Sequence, residues 1–278
     1  MKTGNKPEIF FHVGMGKAAS TFLQYNVFPR FRNIHYIQRT QYRRAITIIR
    51  KGKYSRYLVS GELDNRLFKN YIREFASFFP ETKTIIILRK HDSWIASQYK
   101  RYVKNGNPWS FNEFFDIGND QGFWKQKDLY FFPLISILEK YFNYKPLVLF
   151  YDDLRADPEK FIRKIGDFIG ADYDISRIDY SHKHSSYNEK QLKAIMAVSQ
   201  CVNIRRKRKG DNKTLRVIRG LIPNLIRYST LYVAIILPDS LFSKQDLIPP
   251  AFLEEIRKKY NADWEKCLEY AIKNNPLS

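Results

Sequence analysis

Residues 14–21, GMGKAAST, combine two glycines, a lysine, two small apolar residues and two hydroxyls directly after an apolar run. Glycines allow close backbone approach to an anion. Amides at a helix start point at it, and the helix dipole favours negative charge there. Lys17 supplies a mobile cation, and Ser20 and Thr21 supply hydroxyl donors. The chemistry is phosphate binding. The spacing is not that of the common nucleotide loop, in which four residues separate the first glycine from a Gly-Lys pair followed at once by Ser or Thr. Here Gly14 and Gly16 are one residue apart, and Ser20 comes three after Lys17.

Three further stretches carry candidate chemistry. Val59-Ser60-Gly61-Glu62 ends an apolar run in a carboxylate that could act as general base or cap a helix. ILRKHDSWIAS ends a run of isoleucines in Arg89, where a magnesium-dependent nucleotide enzyme would usually place an acid. Arginine grips phosphate in a bidentate fork, and Ser97, eight residues on, could reach the same anion. The alternative is an ion pair between Arg89 and Asp92 at a helix start. Tyr151-Asp152-Asp153 is either a magnesium site or the N-terminus of a helix, and the helix reading is preferred.

These residues need a frame that brings chain segments far apart in sequence to one edge. Residues 8–13, 56–60, 83–89 and 146–151 read as short buried strands without alternation. Helical patterns lie at 18–29, 65–79, 92–104, 126–142, 158–169, 188–203 and 250–273. Uninterrupted apolar strands separated by helices indicate a parallel sheet covered on both faces, an α/β fold. Ligands of such folds sit beyond the carboxyl ends of the strands, which is where the candidate loops fall. A single domain over 1–278 is expected, with a basic, partly irregular insertion at about 204–248. Around residues 105–125 the pattern is looser. There Trp109, Phe111 and Trp124 are either core or platforms for sugar rings.

The chain is 44% apolar and 16% aromatic, which excludes disorder, and its formal charge of +20 favours an anionic partner. Residues 205–209, RRKRK, are five consecutive cations. Two cysteines define neither a disulfide framework nor a zinc set. His182 and His184 lack accompanying ligands, so no metal is expected. No segment reaches the roughly 18 apolar residues of a membrane span, and the opening residues have no signal-peptide core. The expected location is the cytoplasm, with membrane association at its cytoplasmic face a further reading. No nucleic-acid motif is present, and no nucleic-acid partner is expected.

Taken together, GMGKAAST, ILRKHDSWIASQY and LVLFYDDLRADPEKFIRKIGDFIGADY resemble the sulfotransferase family, which uses 3′-phosphoadenosine 5′-phosphosulfate as donor. HSSYNEKQLKAIMAVSQCVN and IPPAFLEEIRKKYNADWEKCLEY are similar to the small bacterial carbohydrate-type members. Asp152 stands where the family usually has Glu. The resemblance implies a P-loop-type three-layer fold with a central parallel sheet. It implies a 5′-phosphosulfate loop of Gly14, Gly16, Lys17, Ala18, Ala19, Ser20 and Thr21, and a 3′-phosphate element of Arg89 and Ser97. Lys209, within Arg208-Lys209-Gly210, matches a further 3′-phosphate motif. Lys17 would stabilise the leaving phosphate, and Glu62 would take the acceptor's proton, ahead of His91 and His12. The implied acceptor is a hydroxyl of a glycan, a glycolipid or a small molecule. Apart from the resemblance, the basic insertion reads as a solvated loop, as a grip on an anionic glycan or membrane surface, or as a cofactor contact, and the mostly apolar stretch 215–237 with its interspersed Arg suits an interfacial helix. Competing readings are a P-loop kinase using ATP-magnesium and a non-catalytic basic module for an anionic polymer.

Overall fold

The run KTIIIL shows why a sheet forms. Its β-branched residues suit a pleated surface, and Ile85, Ile86, Ile87 and Leu88 are all fully buried. In the computed structural model, which describes residues 6–63, 65–180, 187–205 and 213–276, five parallel strands make one sheet. They are β1 (Glu8–Gly14), β2 (His35–Ile37), β3 (Arg56–Glu62), β4 (Lys83–Leu88) and β5 (Leu147–Phe150), in the order β2-β3-β1-β4-β5. Strand order therefore reverses at β1, which has β3 on one side and β4 on the other. A ligand crevice at the carboxyl edge is expected at such a switch point.

The anticipated α/β fold is the observed one, and the four foreseen strands match to within two residues at each end. β2 was not foreseen; three residues at the sheet edge carry no readable period. β4 stops at Leu88, so Arg89 is the first residue beyond the strand, and β5 stops at Phe150.

The chain separates into two compact units. The first, Met1–Lys90, Tyr130–Lys183 and Tyr260–Ser278, holds the whole sheet. Its helices are α1 (Ser20–Phe22), α2 (Ala45–Arg50) and α3 (Asn65–Phe78). Others follow in the second unit, with numbering in chain order: α4 (His91–Lys104) and α5 (Phe111–Phe114). The first unit resumes with α6 (Phe132–Tyr141), α7 (Tyr151–Ala156) and α8 (Pro158–Ile169). The helix expected at 18–29 is not one regular helix. α1 runs into a π turn at Leu23–Val27 and a 3-10 turn at Phe28–Arg30, closed at Pro29. α8 is legible residue by residue. The Asp157 side chain accepts from the Lys160 amide, Pro158 starts the helix, and Gly170 ends it at φ 62°. The first amides of α6 are met from far along the chain: Phe131 N donates to Asp263 Oδ2 at 2.7 Å and Phe132 N to Oδ1 at 3.2 Å.

The second unit, His91–Leu129 and His184–Lys259, holds α4, α5, α9 (Glu189–Cys201), α10 (Lys213–Ile236) and the first turns of α11 (Pro250–Asn274). Where a partly irregular insertion was expected, the described residues 213–236 are one helix. Apolar residues at helical spacing outweigh the interior Pro223. Its aromatics pack on one another: Trp124 lies edge-on to Trp94 at 5.2 Å, and Trp109 stacks on Tyr102 at 5.3 Å. Phe111 is core.

Candidate active site

β1 ends between its neighbours, with Gly14 level with Glu62 of β3 and Ile87 of β4. Gly14 is required by space. A Cβ there would lie 2.7 Å from Ser20 Oγ, 2.9 Å from the Gly61 carbonyl oxygen and 3.1 Å from His12 Cε1. The following turn places two side-chain-bearing residues in the left-handed region, Lys17 at φ 72° and Ala19 at φ 61°. Each such residue costs roughly 1–2 kcal/mol. Strain of this kind collects at ligand clamps, where the surroundings hold it.

Hydrogen bonds from within and from beyond the loop hold this turn. Ala18 N donates to the Met15 carbonyl at 3.3 Å. The buried Ser20 hydroxyl donates to the same carbonyl at 3.0 Å, so it closes the loop from within. From beyond β4, Arg89 Nη1 donates to the Lys17 carbonyl at 3.1 Å. The Arg89 guanidinium lies over the Tyr151 ring, 4.6 Å from its centre. Tyr151, the first residue past β5, is a site contributor that sequence reasoning did not single out. Thus the structure brings together Gly14, Gly16, Lys17, Ala18, Ala19, Ser20, Thr21 and Arg89 at one end of the sheet.

Glu62 closes β3 at the root of this loop, and the Leu63 amide donates to the Gly14 carbonyl at 3.1 Å. Its carboxylate, 18% exposed, is paired through Oε2 with Arg39 Nη2 at 3.0 Å. Arg39 was also missed. It sits in a 3-10 segment, Arg39–Arg44, that has no strong periodicity.

Beneath the loop lies a buried polar cluster. His12 Nδ1 and Ser60 Oγ are 2.8 Å apart, and Gln24 Nε2 donates to the same oxygen at 3.0 Å. The π turn at Leu23–Val27 carries Gln24 inward. Burial depresses the His12 pKa to about 3, so the ring is neutral at physiological pH. The cluster lies beneath the loop, within the sheet, and holds β1, β3 and the π turn together.

The remaining candidates fall elsewhere. Ser97 is half-buried in the second turn of α4, in the second unit. His91 is buried at the start of that helix. Asp92 is engaged by Arg257, whose Nη2 lies 2.7 Å from Asp92 Oδ2. Asp152 and Asp153 lie in the first turn of α7, and Lys90 pairs with Asp152 at 3.5 Å. The N-cap itself is Phe150, without a side-chain cap. Arg208-Lys209-Gly210, and His182 with His184, lie outside the described residues. Among the described residues no three His, Cys, Asp or Glu side chains are grouped to hold a metal ion.

A parallel sheet with a glycine-lysine loop at its switch point, bonded to an arginine just beyond the neighbouring strand, has the architecture of the phosphate-loop α/β class. The chain belongs to the sulfotransferase family: the model described as "Sulfotransferase domain" matches residues 25–216, which run through both units. The protein is a sulfotransferase. The match begins after the loop at 14–21, so that loop stands on its geometry. Among solved structures, a sulfotransferase from Alicyclobacillus acidocaldarius shares the fold at 15% identity and a TM-score of 0.52, over 70% of this chain and 93% of that one. Retinol dehydratase in complex with androsterone and inactive cofactor PAP aligns at 12% identity and a TM-score of 0.38, over 99% of this chain and 83% of that one. No curated protein matches this sequence. Members of this family draw the sulfuryl group from 3′-phosphoadenosine 5′-phosphosulfate. Among the described residues no helix is long and apolar enough to cross a membrane.

Proposed function

We propose that this sulfotransferase moves a sulfuryl group from 3′-phosphoadenosine 5′-phosphosulfate to a hydroxyl of a glycan or glycolipid. The acceptor oxygen bonds to sulfur, the bond from sulfur to the 5′-phosphate oxygen breaks, and 3′,5′-adenosine diphosphate leaves. Glu62 takes the acceptor's proton. Lys17, with the loop amides and Thr21, meets the charge that develops on the leaving phosphate; positioning and charge stabilisation do most of such work. Arg89, Ser97 and Lys209 serve the 3′-phosphate. Both units act as one transferase domain on this reading, since the family match runs through both. The enzyme works in the cytoplasm, at the face of an anionic membrane. Likeness to carbohydrate-type members supports the acceptor class.

The observation that carries the donor assignment is the bond from Arg89 to the Lys17 carbonyl. It couples the two cradles that a donor with separate 5′ and 3′ anions requires. The test is calorimetric titration of the full chain with 3′,5′-adenosine diphosphate in chelator, beside ATP with magnesium. Metal-free binding of the bisphosphate, weakened in both Lys17→Ala and Arg89→Ala, supports the reading. Binding of ATP-magnesium alone turns it into the kinase reading.

A further inference from the structure

α10 presents two different faces. One packs on α9 within the second unit: Leu231 and Ala234 are buried, and Gln191 Nε2 donates to the Leu231 carbonyl at 2.9 Å. The other is apolar and open. Leu221, Leu225, Tyr228, Tyr232 and Ile236 follow one another at intervals of four, three, four and four, and so stand in a single stripe. Each is between 44% and 81% exposed. Singly exposed apolar residues need no explanation, but a continuous row of five large ones does.

Charge identifies what covers the row. α10 contains no acid. The segment leading into and opening it, 205–219, has eight Lys or Arg against one Asp. Among the described side chains of α10 the cation is Arg227, which is buried, with Nη2 bonded to Asn224 and its guanidinium 5.3 Å from the centre of the Tyr228 ring. The five stripe residues are themselves uncharged, and the sequence is basic just ahead of α10 and through its opening residues. A second copy of the chain, itself of formal charge +20 and with no acid in α10, offers no acidic face there to meet these cations. An anionic bilayer surface meets both parts: headgroups take the cations, and the acyl boundary takes the leucines and isoleucine. Tyr228 and Tyr232 have the amphipathic rings that suit the headgroup level.

We infer that the outward face of α10 docks this enzyme on a bilayer containing anionic lipid headgroups, lying in the interface without crossing it. This deepens the membrane-contact part of the proposed function and rests on that part alone. The experiment is sedimentation of the full chain with vesicles of phosphatidylcholine, and of phosphatidylcholine mixed with phosphatidylglycerol, at low and raised salt. It is repeated with Leu225→Glu combined with Tyr232→Glu, both at exposed positions, and folding is checked by thermal melt. Partitioning at least about tenfold stronger onto the mixed vesicles, weakened by salt and at least about tenfold weaker in the double variant, is expected. Equal partitioning onto both vesicle types overturns the assignment. So does absence of vesicle binding, whether ultracentrifugation shows a dimer that the variant breaks or a monomer. Binding of 3′,5′-adenosine diphosphate, measured in the same preparations, reports separately on the donor site.

Discussion

Arg89→Ala should weaken donor binding twice over, and the two parts can be separated. Arg89 donates to the Lys17 carbonyl and rests on Tyr151. A hydrogen bond from a charged donor is worth about 1.5–3 kcal/mol. Because Arg89 is half-exposed, the lower end applies, about 1.5 kcal/mol or roughly tenfold. That is comparable to the roughly 1–2 kcal/mol by which each of Lys17 and Ala19 resists its left-handed backbone. Without the arginine the loop should relax, and affinity should fall by the fraction still in the binding shape. Direct contact with the 3′-phosphate adds roughly another tenfold or more. Calorimetry with 5′-AMP, which lacks the 3′-phosphate, should therefore show about a tenfold loss in Arg89→Ala, and 3′,5′-adenosine diphosphate about a hundredfold loss. Ala19→Gly, which removes strain at φ 61°, should restore about fivefold in the Arg89→Ala background and little in the wild type. If 5′-AMP binds the variant within twofold of wild type, and Ala19→Gly rescues nothing, Arg89 does not shape the loop and the reasoning fails.

Three more outcomes are expected. Gly14→Ala forces contacts of 2.7 and 2.9 Å on Ser20 Oγ and the Gly61 carbonyl; it should cost about 1–3 kcal/mol in a denaturant melt, and a neutral result would mean the loop is loosely seated. Glu62→Gln should lower kcat by about 10²–10⁴-fold while 3′,5′-adenosine diphosphate binds within about twofold of wild type; a kcat within a few-fold of wild type assigns the proton to another group. His12, held near pKa 3 by burial, titrates at about 6.5 once unfolded. The unfolded chain therefore takes up the proton first, and stability falls as pH drops below about 6.5 toward 3. Between pH 7.5 and 4.5 the loss from this group is on the order of 3 kcal/mol. His12→Asn should flatten the urea-midpoint profile in that range by that amount, and a parallel profile would place the pH sensitivity elsewhere.

The sheet was readable because its strands are short, unbroken apolar runs bounded by charge, as in RYLVS and KTIIIL. β2 was not, since His35–Ile37 is shorter than any period and pairs only with β3. Helices with chemical stops, such as α8 between Asp157 and Gly170, were legible at both ends. The π turn after α1 was not, because it arises from Gln24 turning inward to Ser60, a partner 36 residues away. The site divides the same way. Residue types at strand ends pointed to Gly14, Lys17, Glu62 and Arg89. Tyr151 and Arg39 contribute through contacts that only the assembled sheet edge creates, over 62 residues for Tyr151 with Arg89 and 23 for Arg39 with Glu62. An ion pair between Arg89 and Asp92 stood as the alternative to phosphate binding because the two are neighbours in sequence; the Asp92 carboxylate is held by Arg257, 165 residues on.

The unusual spacing of GMGKAAST has a physical explanation in these contacts. The common nucleotide loop gets its left-handed backbone from glycines, which adopt it freely. Here the two left-handed positions are Lys17 and Ala19, and a lysine and an alanine do not hold such a shape unaided. The shape is held by two hydrogen bonds: from within the turn by Ser20 on the Met15 carbonyl, and from just beyond β4 by Arg89 on the Lys17 carbonyl. Ser20 must then come three residues after Lys17, where its hydroxyl reaches back across the turn, and not directly after it. A loop built this way depends on a residue beyond the next strand for its geometry, so on the proposed donor assignment the arginine would form the 5′ cradle as well as meet the 3′ anion. On that assignment a single side chain would couple recognition of the two ends of a bisphosphate donor, which is why Arg89→Ala is expected to weaken binding of 5′-AMP as well as of 3′,5′-adenosine diphosphate.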